Sequence, residues 1–317
     1  MDSATPHGGT RPGHPDTPAP AQEPAATAPF VPLTPPAVHG PVLADVVAVA
    51  GDWHGDTTWA LSCLNQASAA GIRIVLHAGD FGIWPGNSGA KFLRKINRRA
   101  ADLDLVLLVT PGNHENYDRI DRTPLTDRGD GFGPVRWIAD HVGLLDRGHR
   151  IRFTTTDGRD REFVSLGGGP SLDYADRTPG ATFWAAEAIT AGDVYRVAGG
   201  GHADLMITHD APGAPWQTPA VAEICATNPM GWPDRALAYA SEQRDLVTAA
   251  YEAVWPSLLL HGHYHARSHT TLINPENGRE MRIVCLPQQK QAANLVRVEL
   301  STLGVRSLTD PAGLPDL

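Results

Sequence analysis

The chain has 317 residues, a formal net charge of −9, and a composition that is 42% hydrophobic and 19% charged. Such a length allows one large domain or two small ones with a sizeable core, and the acidic balance argues against a broad electrostatic surface for nucleic acid. Three widely spaced cysteines, Cys63, Cys225 and Cys285, form no CxxC pair, and no apolar run reaches the roughly 18 residues of a membrane span.

The first residues lack both a basic start and an apolar core, so no secretory signal is expected. With the cysteine pattern, this predicts a cytoplasmic protein that does not engage a membrane. Residues 1–41 hold eleven of the 27 prolines, together with much Ala, Thr and Gly, and predict a disordered tail. Residues 42–303 then form the expected folded domain, and 304–317 a C-terminal tail.

Within that domain "VLADVVAVAG" is a valine-rich run expected of a strand buried on both faces. "DTTWALSCLNQASAAG" predicts a helix capped by Asp56 or Thr57 and stopped at Gly71. "IRIVLHAG", "SGAKFLRKINRRAADL" and "DLVLLVTPG" follow as strand, helix and strand. The alternation argues for βαβ units and a parallel sheet. The stretch from 134 to 170 is rich in β signals, and "TFWAAEAITAGDVYRV" reads as helical. "HADLMITHDAP" is a further strand, and "PDRALAYASEQRDLVTAAYEAVW", 233–255, is the longest predicted helix. "SLLLHGHYH", "SHTTLI", "MRIVCLP" and "NLVRVEL" are four short β segments expected in a second, partly antiparallel sheet.

The apolar runs end alike. "VVAVA" leads into Asp52 and His54, "RIVLHA" into Asp80, "VLLVTP" into Asn113, His114 and Glu115, "LMIT" into His209 and Asp210. "SLLL" leads into His261, His263 and His265, with glycine or tyrosine between them. Ligands of open α/β sheets sit beyond the carboxyl ends of the strands. Five strands therefore deliver Asp, Asn or His to one edge. Carboxylate, imidazole and one amide oxygen suit Mn, Fe or Zn. The donors are too many for one ion; with one bridging aspartate they would hold two cations about 3.5–4 Å apart.

DxH, GD, GNHE, a lone His after a strand and GHxH, in that order, resemble the five motifs of the calcineurin-like metallophosphoesterase superfamily, over Asp52 to His265. The resemblance implies an α/β fold, a four-layer α/β/β/α sandwich of two mixed β-sheets flanked by helices. It implies that Asp52, His54 and His265 bind one divalent metal, that Asn113, His209 and His263 bind a second, and that Asp80 bridges them. A metal-bridging hydroxide would attack phosphorus in line. Asn113 would also touch a phosphoryl oxygen, and His114 would stabilise the developing charge or protonate the leaving oxygen. The implied activity is that of a phosphatase or phosphodiesterase on a small or nucleotide-like substrate. A nuclease acting on DNA or RNA ends, or a non-catalytic metal-binding scaffold, are the alternatives; nucleic acid is the less favoured partner. The second motif continues as "GDFGIWPG", without the arginine of the phosphoprotein phosphatase branch, which argues against a serine/threonine phosphatase.

Other polar residues have plainer readings. His77 and His261 precede the motif glycines and are expected to be hydrogen-bonded core groups. Asp56 reads as a helix cap. Asp210 and Glu115 read either as supports for imidazoles or as solvated loop residues. Lys91, Arg94, Lys95, Arg98 and Arg99 share one helical face, expected to be solvated. The insertion "GGGPSLDYADRTPGATFWAAEAIT" lies between the third and fourth motifs. It predicts a substrate-binding cap carrying Arg177 and Trp184, or else a packing loop and helix.

Overall fold

A computed structural model describes residues 36–310. The predicted tail lies outside the described residues up to position 35. In chain order the first half contains β1 (Val38–Leu43), β2 (Val46–Ala50), α1 (Thr57–Ala69), β3 (Ile74–His77), α2 (Gly86–Asp102) and β4 (Val106–Val109). It continues with α3 (Tyr117–Arg122), β5 (Leu125–Asp127), β6 (Pro134–Ala139), β7 (Val142–Leu144), β8 (Arg150–Thr154) and β9 (Asp160–Leu166). Two short 3₁₀ turns, Tyr174–Asp176 and Ala185–Glu187, precede α4 (Ala191–Ala198), β10 (Leu205–Thr208), α5 (Pro219–Thr227) and α6 (Asp234–Val254). The chain closes with β11 (Leu258–His261), β12 (Ser268–Ile273), β13 (Glu280–Cys285), β14 (Leu295–Glu299) and β15 (Gly304–Ser307).

These strands form two mixed sheets. One has seven strands in the order β1-β8-β9-β10-β11-β13-β12, the other eight in the order β15-β14-β2-β3-β4-β7-β6-β5. The period-2 alternation of side chains decides the layering. Val47 and Val49 of β2, Ile74 and Leu76 of β3 and Leu108 of β4 meet Leu205, Ile207, Leu258 and Leu260 of β10 and β11 between the sheets. Their neighbours Ala48, Val75 and Leu107 point the other way, onto Leu64 of α1 and Ile96 of α2. Met206 and Leu259 likewise cover Val197 of α4 and Val247 and Tyr251 of α6. The result is the expected four-layer α/β/β/α sandwich. Among the described residues no helix is long and apolar enough to cross a membrane.

Local signals explain most boundaries. Asp56 caps α1 by accepting the Trp59 N–H, as its position before the first turn predicts. Lys91, Arg94, Lys95 and Arg98 are exposed while Phe92, Ile96 and Ala100 are buried, so the basic face of α2 is a solvated one. Three expectations are corrected. The domain boundaries at 42 and 303 are too narrow, because β1 pairs with β8 from Val38 and β15 pairs with β14 through Ser307. The single helix expected over 182–197 is divided: Thr190 and Asp193 form a capping box that starts α4 afresh. "NLVRVEL" does not join the strands before it; β14 lies antiparallel to β2 in the other sheet, where Val296 and Val298 complete the core between the sheets.

Candidate metal centre

The carboxyl ends of β2, β3, β4, β10 and β11 open onto one edge, and the chain there turns sharply. His54, Asp80, His263 and His265 all adopt positive φ, between 43° and 69°. Such conformations are costly for residues with a Cβ, and they concentrate where function holds them in place. Two glycines make room. A Cβ on Gly262 would lie 2.0 Å from Asp52 Oδ1, and one on Gly112 would lie 2.3 Å from Asp80 Oδ1.

Asp80 is the centre of the arrangement. Its Oδ2 lies 3.3 Å from His54 Nε2, and its Oδ1 lies 3.4 Å from His209 Nε2. One carboxylate thus faces two separate sets of donors. On the first side His265 Nε2 is 3.1 Å from Asp52 Oδ2, and one donor atom from each of Asp52, His54, Asp80 and His265 lies within 4.8 Å of the others. On the second side Asn113 Oδ1 faces His209 Nε2 at 2.8 Å and His263 Nδ1 at 3.1 Å. All seven residues expected as ligands are therefore brought together.

The electrostatics favour a cation. Burial alone would lower the basicity of His54, but the Asp80 and Asp52 carboxylates outweigh it and push the imidazole up to about 9. For His209, too, burial opposes protonation and Asp80 overcomes it. Asp80 is held well below the usual carboxylate range, against its burial, by the His209, His114 and His54 rings. In His263 burial dominates and drives the imidazole down toward the neutral, ligating form. Two buried carboxylates hold protons on their neighbours that divalent cations would displace on binding. Hard oxygens and borderline imidazoles without thiolate fit Mn, Fe or Zn.

Surrounding groups fix the ligands. His54 Nδ1 bonds Gln289 Oε1 at 2.9 Å, and His209 Nδ1 bonds the Ala78 carbonyl at 2.7 Å. Such outer contacts set ring tautomer and orientation. The His263 N–H donates to both oxygens of Asp52. Asn113 donates from Nδ2 to Ser171 Oγ at 3.0 Å; Ser171 in turn donates from Oγ and N to the two oxygens of buried Glu187, at 2.8 and 2.7 Å. This chain turns the amide so that its oxygen, not its nitrogen, faces the imidazoles.

Glu115 is neither an imidazole support nor a solvated loop residue. It is fully buried and accepts the N–H groups of Asp80, Gly82 and Gly112, tying the second and third motifs together. Burial and the nearby Asp80 push its carboxyl up to about 7. Asp210 is buried as well, and accepts the Ala211 N–H rather than touching a ligand ring. His77 and His261 are fully buried core groups; His261 bonds the Gly262 carbonyl, but neither nitrogen of His77 has a partner, and its ring packs between Trp53 and Phe81.

The expected reactive groups divide. His114 is part-exposed, lies 3.8 Å from Asp80 Oδ2 and accepts from Arg177 Nη2 at 2.9 Å. Burial, outweighing Asp80, lowers its pKa. Arg177, paired with Asp173, lines the cavity over the centre. Trp184 does not. Its side chain is packed in the apolar cluster beneath the second sheet, with Tyr117 and Ile120, so its expected role in substrate binding is withdrawn. Sequence reasoning missed Gln289 and Ser171, which occupy loops distant in the chain from their partners and belong to no spacing pattern.

The calcineurin-like phosphoesterase family matches residues 46–267. Among curated proteins none matches the chain. Solved structures with related backbones include TT1561 of Thermus thermophilus, at 7% identity and TM-score 0.47, covering 83% of this chain and 97% of the other. A dimetal phosphatase from Danio rerio aligns at 11% identity and TM-score 0.44, covering 88% and 98%. GAP50, the anchor in the inner membrane complex of Plasmodium, aligns at 12% identity and TM-score 0.44, covering 85% of each chain. The matched motifs run through every strand end that builds the centre, and the chain belongs to the calcineurin-like phosphoesterase family, hydrolases of phosphoric ester bonds.

Proposed function

We propose that this protein is a phosphatase or phosphodiesterase with a dinuclear metal centre, acting on a small or nucleotide-like phosphoester. The observation that carries the reading is the position of Asp80, whose two oxygens face two distinct donor sets. Asp52, His54 and His265 would hold one cation, Asn113, His209 and His263 the other. Two divalent cations held by these residues would supply Lewis acidity and a water acidic enough to be nucleophilic near neutral pH.

The chain's own residues supply the rest. Arg177 brings a guanidinium to the side of the cavity where His114 and Asn113 lie, where it would meet the non-bridging phosphoryl oxygens. Without substrate, Arg177 donates to His114 Nε2, so the ring is neutral and carries its proton on Nδ1. To act as a general acid from Nε2, His114 must exchange that contact for a proton, and Arg177 is then free for the phosphoryl group. The three unpaired cysteines fit the reducing cytoplasm expected from the sequence.

Hydrolysis of para-nitrophenyl phosphate and of bis-para-nitrophenyl phosphate, with Mn, Fe, Zn or Ni added, tests the reading and separates monoesterase from diesterase. His114→Ala is expected to lower turnover by about 10²–10³-fold while the metal content stays unchanged. Full activity in that variant would remove His114 from the chemistry. Metal-replete protein inert toward every phosphoester would favour a binding scaffold.

A further inference from the structure

The cavity above the metal centre is much larger than a phosphoryl group needs. Its volume is about 500 Å³, within the range of small-molecule sites. Asp80, Asn113, His114, His263 and His265 line one end. Beyond Asp173, Arg177, Asn228 and Arg244, much of the remaining wall is apolar, including Leu172 from the segment after β9, Ile224 of α5, Met230 and Trp232 from the turn after it, and Leu237 of α6.

That wall is held in place by specific contacts. Asn228 ends α5 in the left-handed conformation, and its side chain clamps the turn, donating from Nδ2 to the Trp232 carbonyl and accepting the Trp232 N–H, each at 2.9 Å. The clamp presents Met230 and Trp232 at the rim, where Met230 is 72% exposed. A large apolar side chain so exposed, continuous with a polar catalytic end, is hydrated at a cost until a ligand covers it. Indole and thioether are both favourable partners for an aromatic ring. The cavity's arginines are Arg177, at the polar end, and Arg244 beside Tyr264; no lysine lines it. Two guanidinium groups, one of them paired with Asp173, suit a single anionic head and form no continuous basic track for a polynucleotide backbone.

Building on the hydrolase reading, we infer that the preferred substrates are small phosphoesters whose organic group is bulky, apolar and aromatic, with that group seated against Trp232, Met230 and Leu237. The test is calorimetric titration of the Mn²⁺-loaded full chain with phenylphosphonate and with methylphosphonate, beside hydrolysis of 1-naphthyl phosphate and glycerol 2-phosphate. Phenylphosphonate is expected to bind at least about tenfold more tightly, and 1-naphthyl phosphate to show the lower KM. Trp232→Ala should erase most of the difference and leave methylphosphonate affinity unchanged; Met230→Ala, at an exposed position, should reduce it without risk to the fold. Equal affinities, or a preference that survives both substitutions, would overturn the inference, as would an oligonucleotide that displaces phenylphosphonate more readily than either substitution weakens it. If the phosphonate preference holds but no phosphoester is hydrolysed, the cavity assignment stands and the hydrolase reading fails.

Discussion

The two halves of the candidate metal centre carry similar donors and hold them differently. In the half made by Asp52, His54 and His265, the imidazoles reach toward solvent, with His54 and His265 side chains 18% and 39% exposed. His54 is steadied by one side chain, Gln289, from a distant loop. In the half made by Asn113, His209 and His263, the His209 ring is fully buried and bonded to a backbone carbonyl, and the amide is set by Ser171 and Glu187. The first half therefore concentrates charge that a cation would neutralise, whereas the donors of the second are already oriented by their neighbours. Asp80 faces both, so on the proposed reading occupancy of one half would bear on the other.

The strongest way to break this comparison is to remove what the halves share. Asp80→Asn keeps the size of the side chain and deletes the charge that faces both imidazole sets. Turnover on para-nitrophenyl phosphate is expected to fall by about 10³-fold or more at any metal concentration. A loss that excess Mn²⁺ restores in full would mean that Asp80 serves one half alone.

Ser171→Ala and Glu187→Gln sharpen the comparison on the buried side. Without its acceptor, the Asn113 amide loses the contact that orients its oxygen. Metal affinity at that half should drop by about 10–100-fold, measured by titration calorimetry, while the other half keeps its affinity. Ser171→Thr, which retains the hydroxyl, should restore most of the binding; a purely packing role for Ser171 would predict the reverse, since threonine adds a methyl to a buried site. Gln289→Ala is the smallest expected change. It frees one part-exposed ring and should weaken the first half by less than about tenfold, with no effect on the second.

The difference between the halves also marks what could be read from the sequence. Asp52, His54, Asp80, Asn113, His209, His263 and His265 each fall just beyond an apolar strand, and strand ends meet at one edge by topology, so the convergence of these seven residues was legible. The layering was legible for the same reason, since alternate valines and leucines must face different layers. Ser171 and Gln289 were not, because their partners lie 58 and 235 residues away and are brought together by loops. Trp184 misled: an aromatic residue in an insertion near the motifs suggests a substrate contact, but the chain folds its indole inward. Gly304–Ser307 misled in the opposite way, its short polar run hiding an edge strand whose pairing with β14 is decided by backbone hydrogen bonds.

The central claim is that one carboxylate organises two cations, and counting them tests it most directly. Protein loaded with excess Mn²⁺ and freed of unbound metal by gel filtration should retain two ions per chain by elemental analysis, and the Asp80→Asn form close to none. One ion or fewer in the native chain, or two retained after the substitution, would contradict the account.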